Sequence, residues 1–248
     1  MYSRRMTVCA VVVCLGLAGN AAAALTIHTG GTVVHDSTAT YDWNVYDSFW
    51  GDPTTLSILP PGDAGSVNVY ESSMFEMHGS EVHSTYLYSD SKMVMDNGQA
   101  NDVRSYGDSV AEFSGGAVGD LRAYDDSNVT WLGGSVNWLR CYNSASVFVD
   151  ANIDAAYVQL SNNSSLTVKG LSFTIDGVAA PFGTYGTGGR SVVYGTLVGY
   201  RHGGGEVHLD LTMWNSSTIT LVPAPEPSTC MILGFAGLRL LRRRGRRY

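Results

Sequence analysis

The stretch that decides the fold is LRAYDDSNVTWLGGSVNWLRCYNSASVFV, residues 121–149. Its first phrase, Leu121 to Tyr124, returns eighteen positions later as Leu139 to Tyr142. Tyrosine keeps the same interval through the middle of the chain, at Tyr70, Tyr88, Tyr106, Tyr124 and Tyr142, and Leu160 takes the next position. Self-similarity at a fixed period is the signature of a repeat architecture.

Apolar residues follow the same period. The column three residues before each tyrosine holds Val67, Thr85, Val103, Leu121 and Leu139. A second alternating pair follows the tyrosine, as at Val129 and Trp131, and a glycine or asparagine corner then leads to a third apolar point, as at Val136. The order predicts strand, turn, strand, glycine corner and short strand. One unit cannot bury its apolar side alone, whereas stacked units bury a continuous column.

The sequence therefore predicts an all-β protein, a single-stranded parallel β-helix (β-solenoid) with eighteen positions per coil and a right-handed or irregular winding. A left-handed hexapeptide helix has a coil of the same length, but its third aliphatic column would be mostly polar: Glu81, Gln99, Ala117, Ser135 and Ile153. A calcium-binding β-roll needs its GGxGxD phrase twice per coil, and GGAVGD at residues 115–120 matches only partly.

The segments on either side of the repeats are interpreted as caps. The repeats occupy residues 63–170, and Pro60-Pro61-Gly62 marks their start. Residues 25–62 are aperiodic and rich in aromatic residues, which predicts an N-terminal cap segment. Residues 171–222 contain hairpin-like strands and predict a β-rich C-terminal cap, which would cover the open edge of the last coil.

The N-terminus has the layout of a secretory signal peptide. Arg4 and Arg5 precede an apolar run over residues 8–18, and a stretch of small residues follows it. We predict that residues 1–24 are this signal and that cleavage occurs near Ala23 or Ala24. The apolar run is short for an uncleaved membrane anchor.

The C-terminus, residues 223–248, carries three features in order. They are the motif Pro225, Glu226, Pro227, Ser228 and Thr229, an apolar run over residues 230–241, and the arginine cluster Arg242, Arg243, Arg244, Arg246 and Arg247. A helix of about 12 residues spans only ~18 Å, less than a hydrocarbon core of ~30 Å. This predicts a weak, temporary transmembrane helix that the arginines stop on the cytoplasmic side.

These three features together resemble the PEP-CTERM sorting signal of proteins that exopolysaccharide-producing Gram-negative bacteria export. The resemblance implies that the membrane protease exosortase and the secretion machinery are transient partners. It also implies transient anchoring in the inner membrane and a final location in the cell envelope or extracellular matrix. It implies nothing about what the body of the chain does.

The charge of the chain excludes one class of partner. The net charge is −7, but without the two N-terminal arginines and the segment from Pro225 onward there are seven basic and 21 acidic residues, a net charge of −14. Such a body repels nucleic acid, so no nucleic-acid partner is predicted. Cys141 is the one cysteine between the two terminal segments, so no internal disulfide is expected.

Alternation along the strands predicts an outer face. If Val103, Leu121 and Leu139 point inward, their neighbours point outward. The candidate glycan-contact residues on this face are Arg104, Tyr106, Arg122, Tyr124, Arg140 and Tyr142. Aromatic rings beside arginines suit contact with exopolysaccharide. The alternative is that the tyrosines stabilise the stack through ring contacts and that Asp–Arg pairs offset charge.

No residue pattern predicts catalysis, a cofactor or a metal. The six histidines lack a spacing such as HExxH, and the arginines repeat as a ladder instead of converging. Asp90, Asp108 and Asp126 stack in one turn column, where calcium could relieve their repulsion, but solvation and turn hydrogen bonds also suffice. Ice binding would need flat threonine arrays, which the second strand lacks. We expect a structural or adhesive, non-enzymatic matrix protein; the alternative is a polysaccharide-binding or lyase-like β-helix protein.

Overall fold

The computed structural model describes residues 24–37, 40–48, 51–150, 154–188, 192–201 and 205–224. Of the predicted signal peptide, residues 1–24, all but Ala24 lie outside these residues. So do the motif at residues 225–229, the apolar run and the arginine cluster. In the part of the chain that the structure describes, no helix is long and apolar enough to span a bilayer.

Twenty strands run through the described residues. In chain order they are β1 (Ala24–Ile27), β2 (Thr32–His35), β3 (Tyr41–Val45), β4 (Thr55–Ile58), β5 (Asp63–Val69), β6 (Met74–Leu87), β7 (Lys92–Ser105), β8 (Val110–Phe113), β9 (Ala117–Ala123), β10 (Asn128–Trp131), β11 (Ser135–Cys141), β12 (Ser146–Val149), β13 (Asp154–Leu160), β14 (Ser165–Gly170), β15 (Ser172–Ile175), β16 (Val178–Ala180), β17 (Gly183–Gly186), β18 (Val192–Tyr200), β19 (Glu206–Trp214) and β20 (Thr218–Pro223).

Most strands stack in two parallel ladders. Ladder A consists of β1, β3, β5, the second halves of β6 and β7, β9, β11, β13 and β19. Ladder B consists of β2, β4, the first halves of β6 and β7, β8, β10, β12, β14 and β20. Val103, Leu121 and Leu139 are direct partners in successive coils. The predicted parallel β-solenoid is confirmed, with coils of about 18 residues and about eight turns.

One coil, residues 117–134, shows how the sequence builds the stack. Val118, Leu121 and Ala123 of β9 are buried. Two outward residues separate Val118 from Leu121, so the strand bends there instead of alternating strictly. The apolar residue after the glycine corner, here Val118, was predicted to lie in a separate short strand. It lies instead at the beginning of β9. Inward side chains from all coils join one continuous core.

A four-residue turn joins each ladder A strand to the ladder B strand that follows, and its usual sequence is Tyr-x-x-Ser. In the turn at 124–127, the N–H of Ser127 donates to the carbonyl of Tyr124 at 3.2 Å. The second residue has a positive φ in seven turns: Glu71, Ser89, Gly107, Asp125, Asn143, Asn162 and Asn215. The fourth position is fully buried serine at residues 73, 91, 109, 127, 164 and 217. The turn formers were predicted from the sequence, whereas the buried serine column was not.

The glycine corner that leads into the next coil is also present. Gly79, Gly98, Gly116 and Gly134 have φ between 82° and 100°. A Cβ on Gly134 would lie 2.3 Å from the carbonyl oxygen of Gly116 in the coil below. Glycine is required there because the backbones of successive coils approach too closely for a side chain.

The C-terminal segment covers the end of both ladders. β18 pairs antiparallel with the outer edge of β19, and β17 pairs antiparallel with the outer edge of β20. β15 adds to β18, and β16 adds to β15. The β-rich C-terminal cap is thus confirmed, with one correction: β19 and β20 form a last coil in parallel register, and the capping strands are an insertion before it.

The N-terminal segment is also made of coils. β1 and β3 continue ladder A and β2 and β4 continue ladder B, all in parallel pairing. Val45 partners Val69, and these two residues are further apart in the chain than partners in the central coils. The strands therefore keep the same register although longer loops connect them. The segment 25–62 appeared aperiodic for this reason.

Leu160 was predicted to follow Tyr142 in the tyrosine column, and this is wrong. Leu160 partners Cys141, the residue before Tyr142, and is buried. The coil from Cys141 to Leu160 contains one more residue than the coils from Val69 to Cys141. Ser161 therefore takes the tyrosine position, and its N–H donates to the carbonyl of Cys141.

Candidate binding face on ladder A

The tyrosines of ladder A form one continuous stack of rings. Tyr46, Tyr70, Tyr88, Tyr106, Tyr124 and Tyr142 stack in order, with centroids 4.3–5.4 Å apart and interplanar angles of 3–10°. His28 stacks on Tyr46 at 4.7 Å and begins the column. The ring faces inside the stack are therefore occupied by neighbouring rings, as the alternative interpretation proposed.

Packing in the stack also affects the tyrosine hydroxyls. Burial, followed by the neighbouring Tyr46, raises the pKa of Tyr70 to about 12. Burial and Tyr106 raise the pKa of Tyr88 as well. These hydroxyls stay protonated at physiological pH and add no charge to the face.

The column two residues before the tyrosines contains Arg104, Arg122 and Arg140. Arg104 donates to the Asp102 carboxylate from Nη2 at 2.6 Å and from Nε at 2.9 Å. Arg122 binds Asp120 in the same way through Nε, at 2.9 Å, and through Nη2. The hydrogen bond from each arginine to its aspartate raises the pKa of Arg104 and Arg122. Each pair joins two residues of a single strand, and the two pairs occupy matching positions in adjacent coils.

Arg140 differs because its strand has no aspartate at the matching position. Trp138 stands where Asp102 and Asp120 stand in the coils below. Arg140 Nη1 lies 3.6 Å from Asp120, which already binds Arg122, and its guanidinium lies 4.8 Å from the centroid of the Trp138 ring. The Arg140 Nε has no hydrogen-bond partner among the described residues.

The six predicted contact residues thus lie together on one face, but their side chains contact one another and their neighbours. Arg104 also lies 5.3 Å from the Tyr86 ring centroid. Two exposed aromatic side chains lie closer to the C-terminal end of ladder A. Trp138 is 42% exposed and Trp214 is 37% exposed. Trp138, Tyr157 and Trp214 were not among the predicted contact residues, and Tyr157 and Trp214 lie beyond the regular part of the repeat.

The aspartate column and Cys141, which the sequence also singled out, lie in the turns between the ladders and in the core. The described residues contain no group of three or more histidine, cysteine or acidic side chains placed to hold a metal ion. In the turn that contains Asp126, the neighbouring Asp125 accepts a hydrogen bond from Asn143 at 2.9 Å, so this contact belongs to Asp125 and not to the predicted column of Asp90, Asp108 and Asp126. Cys141 is buried, and burial raises the pKa of its thiol to about 12, which disfavours the reactive thiolate.

Comparison with known proteins adds no relative. No family model, no curated protein and no solved structure matches the chain.

Proposed function

We propose that the protein is an exported, non-enzymatic β-solenoid that serves as a structural or adhesive component of the cell envelope or extracellular matrix. The observation that carries the proposal is the repetition of the outer face. A tyrosine recurs at the same place in successive coils and an Asp–Arg pair recurs in two of them, whereas an active site needs different groups that converge on one point.

The location in this proposal rests on the sorting motif at residues 225–229 and on its resemblance to exosortase substrates. A solenoid fits that location, because its core is continuous along the stack and its free end is covered by antiparallel strands. Covered edges limit uncontrolled strand pairing between copies.

The location is tested by following the full chain in an exopolysaccharide-producing Gram-negative host that contains an exosortase. The full chain should reach the envelope or matrix fraction. The triple variant Pro225→Ala/Glu226→Ala/Pro227→Ala should stay with the inner membrane, while Tyr200→Ala in the body should leave the location unchanged. Equal distribution of the full chain and the triple variant would contradict the proposed sorting.

The enzyme alternative can be tested directly. A lyase needs a cation to hold the uronate and a base beside it. Arg104 and Arg122 are each bound to an aspartate of their own strand, and Arg140 lies between the Asp120 carboxylate and the Trp138 ring. We expect no new absorbance of unsaturated uronate when the protein is mixed with acidic polysaccharides. A signal that Arg122→Ala abolishes would replace the structural proposal with the enzymatic one.

A further inference from the structure

The tyrosine stack ends abruptly near the C-terminal end of ladder A. Tyr124 covers one face of Tyr142, at 4.9 Å. The next position of the column is Ser161, and the one after it is Trp214, since Leu160 partners Met213. Two strand spacings of ~4.8 Å separate Tyr142 from Trp214, about 10 Å in all. At the level of Ser161 the column therefore carries no ring, with Tyr142 in the coil before it and Trp214 in the coil after it.

The neighbouring columns change at the same level. Trp138 replaces the aspartate of the lower coils, and its ring contacts Tyr157 of the next coil, with centroids 4.8 Å apart. The Tyr157 hydroxyl hydrogen-bonds Thr212 Oγ1 at 3.1 Å. Tyr194 of the capping strand β18 lies opposite Thr212 and is 67% exposed. Opposed residues of an antiparallel pair project to the same side of a sheet.

These residues define an aromatic patch: Trp138, Tyr142, Tyr157, Tyr194 and Trp214. They come from β11, β13, β19 and β18, which are adjacent strands, and from the turn that follows β11. Trp138 and Tyr142 are four positions apart along the chain, about 13 Å, which is longer than a single sugar ring. Three of these rings are exposed, those of Trp138, Tyr194 and Trp214, whereas the stacked tyrosines of the central coils are half-buried.

The charges around the patch favour a neutral partner. Asp102 and Asp120 already bind Arg104 and Arg122, and Arg140 lies against the Trp138 ring. An exposed carboxylate nearby, that of Asp210, accepts a hydrogen bond from Thr196 at 3.0 Å and lies 3.9 Å from His208. The body as a whole carries a net charge of −14 from seven basic and 21 acidic residues, which repels a polyanion.

We infer that the aromatic patch binds a neutral polysaccharide. One sugar ring inserts between Tyr142 and Trp214 above Ser161, and a second contacts the exposed part of Trp138, whose ring also meets Arg140 and Tyr157. The C–H groups on the face of a pyranose ring pack against the electron-rich face of an aromatic ring, and this contact needs no charge on the sugar. Gln159, the ladder partner of Arg140 and Thr212, is half-buried and supplies an amide beside these two positions. This inference rests on the proposed function, since it supplies the adhesive contact of a matrix protein.

The test uses the full chain purified after export, with affinity electrophoresis against neutral polysaccharides (dextran, a β-glucan and a galactomannan) and acidic ones (alginate and polygalacturonate). Binding to at least one neutral polysaccharide, unchanged between low and high NaCl concentration, is expected. Trp138→Ala and Trp214→Ala should each weaken it about ten-fold, as for a buried aromatic contact. Tyr200→Ala removes an aromatic side chain that is 47% exposed at the far end of β18, and should leave binding unchanged.

Ser161→Tyr separates loss of binding from loss of folding. A tyrosine there should add a ring at this level and extend the stack, so the variant should bind polysaccharide less while resisting urea at least as well as the parent. Binding of none of the neutral polysaccharides would overturn the inference. So would salt-sensitive binding to acidic ones only, or a dimer that Trp138→Ala dissociates, because the patch would then contact a polyanion or a second copy. None of these results affects the sorting test of the proposed function.

Discussion

Tyr106 and Tyr124 stack face to face, with ring centroids 4.8 Å apart and planes inclined by 6°. The two residues occupy the same place in successive repeats, and they follow adjacent strands of ladder A. The ring separation equals the strand separation of a parallel sheet. The rings can therefore stack while the backbones of the two coils keep their hydrogen bonds. The stack therefore contributes to stability in every coil that carries it.

Tyr106→Ala should lower the free energy of unfolding by about 1–3 kcal/mol. The substitution removes two ring contacts, with Tyr88 and with Tyr124, each worth about 0.5–1.5 kcal/mol. Urea unfolding followed by circular dichroism measures the change. Tyr200→Ala, which removes an exposed tyrosine outside the column, is the matched control and should change stability little. Equal effects of the two variants would mean that the stack does not stabilise the coils.

Ser89→Gly should stabilise the protein by about 1 kcal/mol. Ser89 has a φ of 58°, and a residue other than glycine costs about 1–2 kcal/mol in this region. Gly107, the equivalent residue of the next coil, has a φ of 68°, and a Cβ there would lie 3.3 Å from the Ser89 Cα. Gly107→Ala should therefore destabilise by a similar amount. Thermal unfolding of both variants gives the signs, and two shifts in the same direction would refute the strain argument.

Ser127→Ala should leave stability unchanged or raise it by about 1 kcal/mol. The Ser127 hydroxyl is buried and has no partner among the described residues, and such a group costs about 1–3 kcal/mol. The next coil already has Ala145 at this position, fully buried. Ser109→Ala is the control, because its hydroxyl hydrogen-bonds Ser105 at 2.6 Å, and it should destabilise. A clear loss of stability in Ser127→Ala would show that its hydroxyl has a partner in solution.

The free energy of unfolding should fall at alkaline pH because of the buried Cys141 thiol. Burial raises the pKa of this thiol from 9.0 to about 12. Above pH 9 the unfolded chain loses this proton while the folded chain keeps it, so the free energy of unfolding falls by about 1.4 kcal/mol per pH unit until about pH 12. Below pH 9 the contribution is constant.

The measurement compares the full chain with Cys141→Ala in urea at pH 8 and pH 10. The alanine matches Ala123, the partner of Cys141 in the coil below. The parent should lose more stability than Cys141→Ala between the two pH values, because tyrosine ionisation affects both proteins equally. A parallel decline of the two proteins would show that the thiol is not protonated preferentially in the folded state.

The regular part of the fold could be predicted because its signal is local and constant. From Val67 to Leu139, the inward residues and the tyrosines recur at one fixed interval, and the ladder register joins the same residues. The candidate contact residues Arg104 to Tyr142 were placed correctly on the outer face, since alternation within a strand settles which side chains point outward.

The ends of the solenoid could not be predicted in the same way. Val45 and Val69 are paired across a longer loop than the central coils have, and Leu209 lies beside Ala155 across the whole capping insertion. Backbone hydrogen bonds require that strands match in register, but they place no limit on the length of the loop between them. A search for a constant period therefore finds the central coils and overlooks strands that irregular loops separate.

The sequence by itself determined the length of the coil, the composition of the core and the face on which the tyrosines lie. These properties follow from the spacing of apolar and polar residues along one strand. The tertiary structure alone decided that aspartates bind Arg104 and Arg122 and that the rings cover one another from His28 to Tyr142. It also decided that the stack stops at Ser161 below Trp214, because such contacts depend on which residues meet across coils, and loop length controls that meeting.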